Sequence, residues 1–164
     1  MIINFLKPIH TVIITILLAI ACAGCFLAPP KHSAYSPIHE FAASGDLSQV
    51  AQDLAANPQD LNLADDAGRT PLHLAAIHCN FGLVDFLLKK GAKIDAKATG
   101  DTTPLHLAAQ EGCLDVIRLL IANGAKVNAR DIQGRTPLDR AMEWRQNSAA
   151  DLIRRHGGLN GTNL

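Results

Sequence analysis

The side chains best suited to chemistry lie in two short stretches, His78-Cys79 and Glu111-Gly112-Cys113. Thiols, an imidazole and a carboxylate could together hold a soft cation, and two thiols could form a disulfide or act as a redox pair. The metal reading needs a recognised ligand spacing, and these residues have none. The chain contains no C-x-x-C, H-E-x-x-H or G-x-S-x-G, and no Gly-rich phosphate loop. Its serines, histidines and aspartates fall in no nucleophile context. Asp46, Asp85 and Asp115 stand where helix N-termini favour negative charge. The sequence therefore points away from an enzyme and from a bound metal or cofactor.

Two more imidazoles, His73 and His106, belong to the elements that must position those stretches. Thr70-Pro71-Leu72-His73-Leu74-Ala75-Ala76 returns letter for letter from Thr103 to Ala109. Pro71, Pro104 and Pro137 recur every 33 residues, and the third copy begins Thr136-Pro137-Leu138-Asp139. Threonine is a favoured N-cap, and proline at the first helical position loses no hydrogen bond. Paired alanines let neighbouring helices approach closely. A period of this length predicts two helices and a turn per repeat, stacked one on the next.

The T-P-L-H-x-A motif, the glycines at Gly91 and Gly124 and the period resemble the ankyrin repeat. The resemblance covers roughly residues 36–158. It implies an all-α solenoid of about four helix-turn-helix repeats, near 36–66, 67–99, 100–132 and 133–158, joined by short hairpin-like fingers. It also implies that His73 and His106 tie the motif threonines to backbone, often that of the adjoining repeat.

Each repeat departs from the pattern somewhere. Pro37-Ile38-His39 replaces P-L-H in the first, and Pro37 to Pro71 is 34 residues, one more than the later spacing. Asn57-Pro58 ends its second helix. Cys79 stands where glycine is usual between the helices, which implies either a left-handed residue or a remodelled turn. Asp101 replaces a finger glycine, with Gly100 beside it to take that conformation instead. Asp139 replaces histidine in the last repeat. Arg154 and Arg155 give that repeat a polar end, and residues 159–164 are Gly/Asn-rich and expected to fray.

Cys79 and Cys113 occupy nearly the same place in neighbouring repeats. Equivalent sites on stacked helices lie about 10 Å apart. A disulfide tolerates about 7 Å between Cα atoms. Two buried thiols are therefore the expectation, with a disulfide as the alternative in an oxidising compartment.

The N-terminus differs in kind. Residues 1–25 contain one charge, Lys7, and Thr11–Ala23 is almost wholly apolar. The run suits a lipoprotein signal, a plain cleaved signal or an uncleaved anchor. Ala-Gly before Cys25 resembles a bacterial lipobox, and Cys22 is the alternative lipidation site. Residues 26–35 carry Pro29-Pro30 and read as a linker. These readings place the repeats in a bacterial cell envelope, facing the periplasm and held at the membrane, or alternatively secreted.

Charge is balanced, 15 basic against 15 acidic residues, so no basic stripe speaks for nucleic acid. Aromatics are 4% of the chain, so the core must be built from aliphatic residues. The ankyrin resemblance implies a groove that grips a protein partner. Carried over by position, its finger residues are Asp66, Ala67, Arg69, Thr102, Ile132, Gln133 and Arg135. Its inner-helix residues are Ile77, His78, Gln110, Glu111, Glu143 and Trp144. Trp144, the only tryptophan, could instead pack on the C-terminal tail, and Arg69 and Arg135 could simply be solvated. The expected function is a monomeric, non-catalytic interaction module. A structural spacer, or metal or redox chemistry at Cys79 and Cys113, is the alternative.

Overall fold

The computed structural model describes residues 37–163. The apolar N-terminal run, the candidate lipidation sites Cys22 and Cys25, and the proline-containing linker lie outside the described residues. No helix among the described residues is long and apolar enough to cross a membrane.

Four helix pairs follow one another. They are α1 Pro37–Ser44 and α2 Leu47–Ala56, α3 Pro71–Ile77 and α4 Phe81–Lys89, α5 Pro104–Glu111 and α6 Leu114–Ala122, and α7 Pro137–Glu143 and α8 Asn147–Arg155. The first helices of the pairs stack in order, α1 on α3, α3 on α5 and α5 on α7. The second helices do the same, α2 on α4, α4 on α6 and α6 on α8. The result is two layers of helices, inner and outer, with the core between them.

The threonines start the inner helices as their type predicts. Thr70, Thr103 and Thr136 are extended N-caps, each followed by proline at the first helical position. Each closes a capping box with the residue three on, His73, His106 or Asp139. Leu72 and Leu105 are fully buried, and Ala75, Ala76, Ala108 and Ala109 have no exposed surface at all. Those alanines are what brings successive inner helices close. Leu83, Val84 and Leu87 from α4, and Val116, Ile117 and Leu120 from α6, fill the space between layers. Burying each of these side chains contributes about 1.5–3 kcal/mol. On the last described inner helix, Met142 takes the position of Ala76 and Ala109 and is 43% exposed, with no further inner helix among the described residues to cover it.

The fingers are tight turns, and none is a strand among the described residues. Each closes on a backbone hydrogen bond: Asp65 N–H to Arg69 O, Ala98 N–H to Thr102 O and Asp131 N–H to Arg135 O, all 2.9 Å. The extra residue of the first repeat is absorbed in a 3-10 turn, Pro58–Asn62. In the middle finger both Gly100 (φ 78°) and Asp101 (φ 58°) are left-handed, so aspartate shares the strain that glycine alone was expected to carry.

Two expectations need correction. Cys79 and Cys113 are not separate thiols; they form a disulfide with Cα atoms 5.1 Å apart. The distance argument compared equivalent positions, but the bonded residues are offset by one. The turn before each outer helix leans on the turn of the preceding repeat, so the offset pair touches. Asn80 Nδ2 donates to Gly45 O at 3.2 Å in the preceding boundary, and a Cβ on Gly112 would stand 2.5 Å from Gln146 Oε1 in the following one. Cys79 itself is left-handed, φ 55°, as its glycine position implied.

The second correction is the tail. Its described residues are tied back onto the third and fourth repeats rather than frayed. Leu159 N–H donates to Asn128 Oδ1 at 2.8 Å, and Gly161 N–H donates to Asp139 Oδ2 at 2.8 Å. Thr136 Oγ1 lies 2.8 Å from Leu159 O. Composition predicted mobility, but the tail accepts from Thr136 and donates to Asn128 and Asp139, so its backbone groups find partners on the stack.

Candidate functional site

The motif histidines form a spine through the stack. His73 Nδ1 accepts the Thr70 N–H at 3.1 Å and lies 2.9 Å from Thr70 Oγ1. Its Nε2 is 3.1 Å from the carbonyl of Thr102, in the next finger. An acceptor at Nδ1 and a carbonyl at Nε2 define a neutral imidazole protonated at Nε2. His106 repeats this between Thr103 and the Arg135 carbonyl, 3.1 Å away. His39 Nε2 reaches Leu63 O at 3.0 Å. Burial pushes the His73 imidazole down to about 4, against the opposing pull of the Thr102 carbonyl. Burial also lowers His106, opposed by the Arg135 carbonyl. With both ring nitrogens engaged, His73 and His106 are placed as neither bases nor ligands. They hold each finger against the helix before it.

The finger carboxylates do the same for arginine. Asp65 Oδ1 accepts the N–H groups of Ala67 and Arg69 at 2.9 and 2.7 Å, and Oδ2 accepts Arg69 Nε at 2.8 Å. Burial works against the charge, but the Arg69 backbone and guanidinium outweigh it and hold the carboxyl below its ordinary value. Asp131 is built alike. Its Oδ1 accepts Gln133 and Arg135 N–H, both at 2.9 Å, and its Oδ2 meets Arg135 Nε at 3.0 Å and Arg140 Nη2 at 2.9 Å. Burial opposes that charge too, and the Arg135 backbone with the two guanidinium groups overcomes it. The middle finger lacks this clamp, since Ala98 and Thr102 stand at the Asp and Arg positions. Lys97 and Asp101 pair there instead at 2.6 Å.

The structure brings several of the predicted contact residues together. Arg135 Nη1 reaches Glu143 Oε2 at 3.1 Å, joining the last finger to the end of α7. Arg140 Nη1 lies 3.4 Å from Gln110 Oε1, and Gln110 Nε2 is 3.0 Å from Glu111 Oε1, which extends the network into the third repeat. Around it Ile132 is 71% exposed and Trp144 54% exposed. The tail bonds to Thr136 and Asp139, at the opposite end of α7 from Trp144. Asp66, His78, Glu111 and Gln133 are exposed, and Ile77 is half-buried. The Ala67 carbonyl accepts the Thr99 N–H at 2.9 Å, linking two fingers.

Thr102 is buried, 8% exposed, and its backbone carbonyl is the acceptor for His73. Two residues were missed. Asp131 and Arg140 centre the polar network, yet Arg140 stands where Leu74 and Leu107 stand in earlier repeats. The spacing of Asp131 to Gly134, the same as Asp65 to Gly68, was the available signal for Asp131. The Leu-to-Arg change at a helix position facing the finger was the available signal for Arg140. Among the described residues no three His, Cys, Asp or Glu side chains are grouped to hold a metal.

Helix pairs stacked at a 33-residue period, with threonine-histidine spokes to the next finger, define a repeat protein of the helical solenoid class. Comparison with protein families matches the chain to "Ankyrin repeats (3 copies)" over residues 13–98, 38–131 and 98–162. The chain belongs to the ankyrin-repeat family. It is also similar to the palmitoyltransferase akr1 of Neurospora crassa, 39% identical over 64 residues, which is 39% of this chain. The chain spans only 9% of that relative's length. Ankyrin repeats generally mediate protein binding and are typically non-enzymatic.

Proposed function

We propose that this chain is a non-catalytic binding module that takes a protein partner on its finger and inner-helix residues. The observation that carries the reading is the clamp on Arg135. Asp131 on one side and Glu143 on the other hold its guanidinium in place. The exposed Ile132 and Trp144 flank that network. Tryptophan and arginine are enriched among the residues that dominate binding energy. A side chain already held in place loses little rotamer freedom on docking. The bland assignment of Arg135 as a solvated residue does not account for its two carboxylate partners.

The proposed setting is the bacterial cell envelope, with the module held at the membrane through its N-terminus and acting as a monomer. The apolar run with a lipobox-like Cys25 supports export, and a disulfide between Cys79 and Cys113 suits an oxidising compartment. Mass spectrometry of the mature chain tests this. A diacylated N-terminal Cys25 is expected, and a chain that still begins at Met1 in a reducing compartment overturns it.

The binding reading is tested by affinity capture from a detergent extract of envelopes, using wild type and the pair Arg135→Ala with Trp144→Ala. Capture is expected to fall while circular dichroism shows unchanged helix content. Unaltered capture by the double variant removes this surface from the proposal. Recovery of no stoichiometric protein by wild type supports a structural spacer instead.

A further inference from the structure

The boundary between the second and third repeats is crossed by a covalent bond, and its two ends are unlike. Cys79 is exposed, in a turn where it adopts φ 55°. Cys113 is 5% exposed and stands at the N-cap of α6. In the two preceding repeats this N-cap side chain satisfies its own helix. Asp46 Oδ1 accepts Gln49 N–H and Asn80 Oδ1 accepts Leu83 N–H, both at 3.0 Å. Cys113 makes no such bond while its sulfur is tied to Cys79. Asp115 in the same first turn is already paired with Arg118.

We propose that Cys79–Cys113 is a thiol-exchange site, at which a thiol is captured on Cys79 and Cys113 is the leaving group. The incoming thiolate forms a bond to Cys79 Sγ. The Cys79–Cys113 bond breaks, and its electron pair leaves on Cys113 Sγ, which takes up the proton given up by the incoming thiol. Three features direct the reaction this way. The exposed residue is the one open to attack. The departing sulfur sits at a helix N-terminus, where developing negative charge is stabilised, and once protonated it lies 3.4 Å from an acceptor, Ala76 O. By the register of the other repeats, the freed sulfur can cap Val116 N–H, which the disulfide denies it.

The stack does not need the bond to stay closed. His73 Nε2 to Thr102 O, Lys126 N–H to Asp95 Oδ1 at 3.0 Å and Ile132 N–H to Gly100 O at 3.0 Å all hold the second finger, the third finger and the helices between them in register. At the neighbouring boundary the same rung is a single amide hydrogen bond, Asn80 to Gly45. A rung that is noncovalent elsewhere can open here without unfolding. This inference goes beyond the binding reading and does not rest on it.

The test uses the full chain in detergent, oxidised, and equilibrated with graded ratios of reduced to oxidised glutathione. Samples are acid-quenched, alkylated and mapped by tandem mass spectrometry, with helix content followed by circular dichroism. Loss of the linkage is expected with glutathione on Cys79, alkyl label on Cys113 and helix content unchanged. A linkage that stays closed across the series, glutathione on Cys113, or opening only when the helices melt overturns the proposal. Two variants keep the test independent of the equilibrium. C113S is expected to take up glutathione at Cys79 while folded, whereas C79S is expected to leave Cys113 unlabelled by maleimide until unfolded. Equal labelling of the two overturns it. Repeating the series with a single-cysteine thioredoxin-type protein separates a protein thiol from a small thiol as the reactant.

Discussion

Asp131 and Arg140 lie nine residues apart in the chain and meet with Oδ2 2.9 Å from Nη2. The carboxylate is 1% exposed and the guanidinium side chain 16% exposed. The contact ties the last finger to the helix that follows it, and Arg140 continues to Gln110 in the preceding repeat. Removing the charge while keeping the shape leaves two guanidinium groups without their shared partner. Asp131→Asn is expected to lower stability by about 2–3 kcal/mol. The urea midpoint at pH 7 is the measurement, and a midpoint within error of wild type contradicts the assignment. Binding is expected to weaken as well, because Arg135 loses one side of its clamp.

The histidine spine makes stability depend on pH in a defined direction. His73 falls from 6.5 to about 4 on folding, because burial disfavours the imidazolium. Between those values the unfolded chain binds a proton that the folded chain does not. Stability is therefore fully present above pH 6.5 and declines as pH falls toward 4, by on the order of 3 kcal/mol for this residue. His106 shifts in the same direction and adds to the decline. Asp65 and Asp131 are lowered from 3.8, so their contribution is present above 3.8 and is lost at lower pH, as their folded values are passed. Thermal melts across this range are expected to show a first limb from the histidines and a second from the carboxylates. A melting temperature constant between pH 6.5 and 4 contradicts the neutral, two-bonded imidazole.

The inter-helix turns carry a backbone requirement that not every repeat meets. Gly112 is left-handed at φ 73°, and Arg145 takes the equivalent place at φ 58°. A non-glycine residue there costs on the order of 1 kcal/mol. Arg145→Gly is expected to raise stability by about 0.5–1 kcal/mol, since it relieves that strain. Gly112→Ala is expected to lower it by about 1 kcal/mol, because alanine must then hold a left-handed backbone and its Cβ meets the Gln146 side chain. Differential scanning calorimetry of both variants checks the signs. Changes of the same sign remove the turn from the account.

The local chemistry of each repeat was legible in the sequence. Thr-Pro starts, histidine three residues on and paired alanines at a 33-residue period are satisfied by local hydrogen bonds and by contact with an identical neighbour. Identical neighbours make identical environments, so the period determined the helix order and the layers, while the structural role of His73 and His106 followed from the ankyrin resemblance. Tertiary packing decided what happens where the repeats are not identical. Cys79 and Cys113 reach one another because adjacent turns lean by one residue, an offset that period counting averages away. Arg140 finds Asp131 because the finger folds back over α7. The tail docks because its backbone meets the side chains of Asn128, Thr136 and Asp139.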